Sequence, residues 1–279
     1  MILGYNTNGL AHHDPVDAVE LVKDVGYGAV AVTIDHHALR PHSRHLPIQL
    51  ASLRQLFDEF RMRSVIETGA RYLLDPRRKH EPTLVSPDME ARSRRVRFYE
   101  HAIDCAAALG SECVSLWSGV LHDGASEGVA MTRLTQGLEC VLHYAGLGGV
   151  AVGFEPEPGM FIDTMARFEQ LLDTLGDDSL RLTLDVGHLQ CQGELPLTDY
   201  IRRWAPRLVN VHLDDARRGA HEHLMFGEGE IDFPAVFDAL RAAGYTGCVN
   251  VELSRHSHVG PEAAQKAYAL LSPLVFAEQ

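Results

Sequence analysis

The sequence predicts a single (β/α)8 barrel, and three observations predict it. Eight short apolar runs alternate with amphipathic stretches of helix length, glycine punctuates the steps between them, and no low-complexity or polar linker divides the chain. The apolar runs lie at 2–5, 29–34, 64–67, 113–117, 151–155, 180–185, 209–212 and 248–252. Several (AVAVTI, VAVGF, RLTLDV) scarcely alternate, as expected of parallel strands covered on both faces. Helical patterns lie at 17–25, 50–60, 88–109, 131–145, 164–175, 199–204, 234–242 and 262–271, the first carrying Ala18, Leu21, Val22 and Val25 on one face. Gly26, Gly110, Gly176 and Gly244 follow helices and supply the left-handed residue that stops them. The segments DVGYGAV, ALGSECV and AAGYTGCV repeat one grammar: helix end, glycine stop, short step into a strand. Eight such units in 279 residues fit one barrel spanning 1–279. An open doubly wound sheet is the competing architecture, but no GxGxxG loop follows the first strand.

Composition narrows the partners. A hydrophobic content of 46% with 23% charged residues suits a globular chain with a substantial core. A net charge of −13 opposes a nucleic-acid or anionic-membrane surface while leaving room for a small cationic pocket. The five cysteines include no CxxC pair, which favours reduced thiols over disulfides or a cysteine zinc site. Without a signal-like N-terminus or an apolar run of about 18 residues, the expectation is a cytoplasmic protein, compatible with a homo-oligomer.

In such a barrel the carboxyl ends of the strands open onto the active-site face. Here the runs end on Tyr5 with Asn6, Asp35 with His36 and His37, Glu67, Trp117, Glu155, Asp185, His212 and Glu252. Any one acid could simply cap the next helix. For Glu155, Asp185, His212 and Glu252, on four consecutive strands, that explanation must hold four times, and buried charges are costly unless paired or coordinated. Three carboxylates and one imidazole at a common point need a cation. The oxygen-rich set suits Mn²⁺, Mg²⁺ or Co²⁺ better than a closed structural zinc site, with Zn²⁺ still possible, and leaves positions for substrate oxygens.

The motifs GFEPEPG, LTLDVGH, VNVHLDD and VELSR, with FGEGEIDF, resemble the xylose-isomerase-like sugar isomerase/epimerase superfamily, a TIM-barrel group that also contains endonuclease IV. The resemblance covers essentially the whole chain; it is most specific over 150–255 and weaker over the first 80 residues. It implies one metal ion on Glu155, Asp185, His212 and Glu252, with the two glutamates also moving protons on opposite faces of a sugar. It further implies that His188, three residues after Asp185, contacts substrate, and it matches His221-Glu222-His223 to the polar stretch before FGEGEIDF. Independent chemistry agrees: a metal polarising a carbonyl and its neighbouring hydroxyl acidifies the C–H between them and stabilises an enediolate. A carboxylate on each side can then remove and return the proton. The expected function is a divalent-metal-dependent isomerase or epimerase of a sugar, sugar phosphate or cyclitol ketone.

Other residues carry two readings each. Glu157 orients substrate or faces solvent; Trp117 walls a sugar ring or packs the strand end. His36 and His37 are well placed for the mouth but lack partners. Of Asp214 and Asp215, one is expected behind a metal-binding histidine and the other in solvent. The loop carrying Arg71, Arg77, Arg78 and Lys79 is either held outward by acids or binds a substrate phosphate or carboxylate, with Arg255 and Arg217 able to contribute. Rival functions are a dehydratase using the same metal-assisted chemistry, an endonuclease IV-like phosphodiesterase and a non-catalytic metabolite-binding barrel. The phosphodiesterase needs extra histidines at strands two to four, and strands three and four end in Glu67 and Trp117.

Overall fold

The computed structural model describes residues 1–69 and 71–275. Its parallel strands are β1 (Ile2–Asn6), β2 (Ala29–Thr33), β3 (Arg63–Glu67), β4 (Cys113–Leu116), β5 (Ala151–Phe154), β6 (Leu180–Asp185), β7 (Leu208–Leu213) and β10 (Cys248–Val251). They pair in chain order, and β1 bonds both β2 and β10, closing the barrel. Closure excludes the open doubly wound sheet.

The helices α1 (Pro15–Val25), α2 (Leu46–Phe60), α3 (Met89–Leu109), α4 (Glu127–Gly148), α5 (Met165–Leu175), α7 (Leu197–Trp204), α8 (Phe233–Ala242) and α9 (Gly260–Val275) cover the outside. Several begin at an aspartate or threonine side chain that accepts a backbone N–H: Asp14, Asp88, Thr164 and Asp232. Gly26, Gly110, Gly176 and Gly244 all have positive φ, so the glycine punctuation acts as the sequence predicts. The helices α2, α4 and α9 extend beyond the predicted stretches, because periodicity marks only the buried part of each. Two elements were not foreseen. The short helix α6 (Val186–Gln192) starts directly on Asp185, and an antiparallel hairpin, β8 (Asp215–Arg217) with β9 (Ala220–Leu224), stands on the carboxyl-end face.

Two layers fill the barrel. Its lower layer is small and apolar: Ala29, Ala31, Val65, Cys113 and Cys248. The upper layer is polar, with Glu67, Thr183, Asn210, His212 and Asn250 all buried. Asn250 Nδ2 donates to Asn210 Oδ1 at 2.9 Å, and Asn210 Nδ2 donates to Glu67 Oε1 at 3.0 Å, tying β10, β7 and β3 together beneath the mouth. Between barrel and helices lies the main core, where Phe154 of β5 stacks on Phe168 of α5 with ring centres 5.8 Å apart, and Phe168 meets Trp204 of α7 at 5.3 Å. No helix among the described residues is long and apolar enough to cross a membrane. Phe168→Ala should cost about 3–5 kcal/mol in chemical denaturation, as expected for an aromatic truncated in a packed core. A loss below about 1 kcal/mol would contradict this packing.

Candidate functional site

The carboxyl-end face holds a cavity of about 570 Å³. Glu155, Asp185, His212 and Glu252 converge at its floor, each offering one donor atom within 4.8 Å of the others. Their backbone positions explain this: Asp185 and His212 pair in register on β6 and β7, while Glu155 and Glu252 each follow the last residue of β5 and β10. His212 Nδ1 lies 3.0 Å from Glu155 Oε1, 2.8 Å from Glu252 Oε2 and 4.0 Å from Asp185 Oδ2. Asp185 divides its labour: Oδ1 accepts the His188 backbone N–H at 2.9 Å, capping α6, while buried Oδ2 has no hydrogen-bond partner among the described residues. A helix cap and a cation ligand are thus compatible roles for one side chain. An orphaned buried carboxylate oxygen facing two further acids and an imidazole fits a divalent cation.

Glu67 completes the arrangement in a way the sequence reading missed. Its Oε1 lies 2.8 Å from His212 Nε2. A hydrogen bond from Nε2–H to this carboxylate sets the ring's orientation and turns Nδ1 toward the other acids. Period-2 spacing carries a signal for the asparagines beneath, not for Glu67: VNVH and VNVE place Asn210 with His212, and Asn250 with Glu252, on one strand face. Asn8, also unforeseen, donates Nδ2–H to Glu252 Oε1 at 2.7 Å.

Burial pushes the Glu155 carboxyl well above its ordinary range, against the pull of His212 and with help from Glu252 and Asp185. Burial also raises Glu252, but His212, followed by His223 and His188, more than offsets it and holds this carboxyl low. Burial opposes a charge on His212, yet Glu67, Glu155 and Glu252 prevail and raise it well above a free imidazole. The two glutamates therefore differ in protonation although both touch the same nitrogen.

The other predicted residues separate clearly. His188 sits above Asp185 with Nδ1 donating to Pro156 O at 3.1 Å; its Nε2 is buried, without a hydrogen-bond partner, and 3.7 Å from Asp185 Oδ2. Glu157, Trp117 and Arg255 all line the cavity. Burial and Glu252 push the Glu157 carboxyl up to about 7. Trp117 packs against the His80 ring at 5.2 Å, so its wall and packing roles coincide. Arg255 donates to His221 O at 2.7 Å. His221 and His223 of β9 close the cavity beside His188 with ring centres 4.9 and 6.0 Å from it.

Four expectations are corrected. His36 and His37 are exposed and do not line the cavity, because the chain turns outward after Asp35. Arg77 and Arg78 lie on the exposed part of their loop, leaving Arg71 and Lys79 at the cavity. Arg217 turns away to Glu222 and the Glu228 carbonyl. Asp215 is not solvated: both it and Asp214 are buried. Asp215 accepts backbone N–H groups of Gly227, Gly229 and Ile231, fixing the GEGEI loop. Asp214 lies 2.6 Å from His223 Nδ1, and this contact outweighs burial to raise His223 to about 10.

Bound metal requires deprotonated ligands, and without an ion burial raises Glu155, and the surrounding acids raise His212, well above their ordinary values. Divalent-metal uptake at pH 7 should therefore release protons, and affinity should rise between pH 5 and pH 8. Calorimetry in two buffers of different ionisation enthalpy reads the release directly; an ion taken up with no proton lost would contradict the assignment. Glu67→Ala should lower metal affinity about 10- to 100-fold through loss of the imidazole's orientation. Unchanged affinity in metal titrations would remove Glu67 from the site.

Comparison with known proteins agrees with this architecture. The chain is 30% identical over 137 residues to an inosose dehydratase of Lacticaseibacillus casei, covering 43% of this chain and 46% of that one. It thus spans less than half the length of that curated relative. It is 21% identical over 251 residues to an L-ribulose-5-phosphate 3-epimerase of Shigella flexneri, covering 89% and 85% of the two chains. The solved structure of a 3-keto-D-glucoside 4-epimerase from E. coli superposes with a TM-score of 0.80 at 16% identity, over 98% of this chain and 99% of that one. Residues 19–274 match the family described as xylose isomerase-like TIM barrel, and the chain belongs to that family.

Proposed function

We propose that the chain is a divalent-metal-dependent epimerase or isomerase of a sugar-like ketone, with Glu155 and Glu252 as its proton-transfer pair. The convergence of Glu155, Asp185, His212 and Glu252 on one buried point carries this reading. The epimerase relatives support it, and the oxygen-rich donor set favours Mn²⁺, Mg²⁺ or Co²⁺. A divalent cation bound there would supply Lewis acidity toward a substrate carbonyl and its neighbouring hydroxyl, acidifying the C–H between them.

The chain's own residues supply the rest. Glu252, held through Oε1 by the Asn8 side-chain amide, is the base. Glu155, across the cluster from it, is the carboxylate that exchanges the proton on the opposite face. Asp185 and His212 would hold the ion, and His188 Nε2, buried above Asp185, would meet a substrate oxygen. Trp117 and His80 present an aromatic wall, and Glu157 a polar edge, to a small carbohydrate-like substrate. A dehydratase is the second reading, favoured by the Lacticaseibacillus relative and by His223, which Asp214 keeps charged and able to protonate a departing hydroxyl. An endonuclease-like phosphodiesterase gains nothing here, since His36 and His37 point away from the cavity.

Glu155→Gln and Glu252→Gln should each slow solvent-deuterium incorporation into the responsive ketone about 10²- to 10⁴-fold, the contribution of a positioned acid or base. The assay is mass spectrometry across ketoses, cyclitol ketones and their phosphates. Near-normal exchange by both variants would exclude the two-carboxylate reading. Asp185→Asn should lose bound metal, read by elemental analysis, while keeping the thermal transition of the barrel.

A further inference from the structure

The cationic loop after β3 divides into two parts for a structural reason. The His80 backbone N–H donates to Arg71 O at 2.5 Å, closing the segment between them into a stem. Arg71 and Lys79 stand at the base of that stem and line the cavity, Arg71 half-buried and Lys79 exposed, whereas the exposed Arg77 and Arg78 do not reach it. The base is anchored from beneath by Arg95, which is fully buried in α3. Its Nε donates to Pro82 O at 2.5 Å and its Nη2 to His80 O, while its guanidinium packs 4.9 Å from the Trp117 ring. On the other side, Arg71 Nη2 donates to Asn8 O at 3.1 Å, so Arg71 is attached to the residue that holds Glu252. Arg71 is therefore fixed at the mouth by a main-chain contact, and Lys79, an exposed residue next to the anchored His80, lines the same cavity.

Their pairing is the second observation. Acids are plentiful in this cavity, with Glu67, Glu155, Glu157 and Glu252 all lining it. Among the described residues, none of these acids lies within ion-pair distance of Arg71 or Lys79, although all share the cavity with them. A held arginine and a neighbouring lysine that line a cavity without a carboxylate partner are positioned for an anion from outside. His80, between them, is kept neutral by burial and by the same cations, so it can serve as a neutral hydrogen-bonding group.

We propose that Arg71 and Lys79 form an oxyanion subsite, and that the substrate of the centre described above is an anionic ketose, with a phosphomonoester as the group that best matches two cations. This rests on the proposed epimerase or isomerase reading. Binding energy at the oxyanion, remote from the reacting carbon, would orient that carbon over Glu155 and Glu252.

The subsite is testable without turnover. Inorganic phosphate titrated into chelator-treated protein, followed by ³¹P NMR, should bind, and Arg71→Ala and Lys79→Ala should each weaken binding at least tenfold. Arg77→Ala should leave it unchanged. Phosphate binding that is absent, or insensitive to both substitutions, overturns the subsite. Turnover then separates it from the reaction. Deuterium exchange on the Mn²⁺-loaded protein should favour ketopentose 5-phosphates over the free ketopentoses at least tenfold in kcat/KM. Arg71→Ala should erase that preference mainly through KM. Equal exchange on neutral and phosphorylated ketoses overturns the subsite but leaves the two-carboxylate reading standing. Phosphate binding with the predicted variant effects, but no exchange on any ketone, supports the subsite and refutes the epimerase reading. A preference for keto-sugar acids over ketose phosphates, lost in Arg71→Ala, supports the oxyanion subsite with a carboxylate as its natural group.

Discussion

Four carboxylates crowd one imidazole at the top of this barrel, and that excess of buried negative charge is the constraint from which the rest of the site follows. Glu67, Glu155 and Glu252 all lie within 3.0 Å of a His212 ring nitrogen, and Asp185 within 4.0 Å. Buried charges this close interact by several kcal/mol even at an effective dielectric constant of about 20. Such a cluster persists only if protons or a cation neutralise it. Protons do so unevenly, raising Glu155 and His212 while Glu252 remains ionised. A divalent ion bound there would neutralise it more evenly and would use the Asp185 oxygen that no donor among the described residues satisfies.

The polar floor also explains how the scaffold is organised. A barrel interior ordinarily fills with branched apolar side chains. Here Asn210 and Asn250 replace them under the mouth, and their amides link Glu67 to the strands carrying His212 and Glu252. The apolar packing that stabilises the fold sits outside, around Phe154, Phe168 and Trp204. Glycine permits one close approach at the site's edge: a Cβ on Gly187 would collide with the Asp214 carboxylate, which must pass there to reach His223. Fold stability and site chemistry are carried by different layers, so changes at the floor can be read as chemistry.

Legibility in the sequence followed physical range. Runs of apolar residues ending on acids made the barrel and the four converging side chains readable, because strand direction alone brings those ends to one face. Glu67 was visible as a strand end, but its partner His212 is 145 residues away and no local pattern joins them. The paired VNV motifs were readable and unused. Arg95 was readable in helical phase, since residues 95, 98, 99 and 102 share the buried face of α3, although it sits among Arg92, Arg94 and Arg97 with nothing else to distinguish it. The helix α6 and the β8–β9 hairpin were not readable. Seven and eight residues are too few for a periodic signal, and both are organised by aspartates whose contacts are set by the fold, Asp185 for α6 and Asp215 for the loop beside the hairpin.

The distribution of charge within the cavity bears on how substrate and metal would cooperate. An acidic floor repels an anionic substrate, and a chain of net charge −13 offers no long-range attraction to offset this. Arg71 and Lys79 at the base of the loop, with Arg255 beside His221, place positive charge on the cavity wall while the acids stay below. A divalent ion on the floor would reduce the repulsion further, so metal and an anionic substrate should bind with positive coupling, and by linkage each would raise the other's affinity by the same factor. The scaffold also connects them physically. Arg71 donates to the Asn8 carbonyl and the Asn8 side-chain amide donates to Glu252, so Asn8 contacts both the proposed oxyanion subsite and the proposed base. Asn8 thus gives a physical route by which occupancy at the wall can bear on the proton-transfer group below.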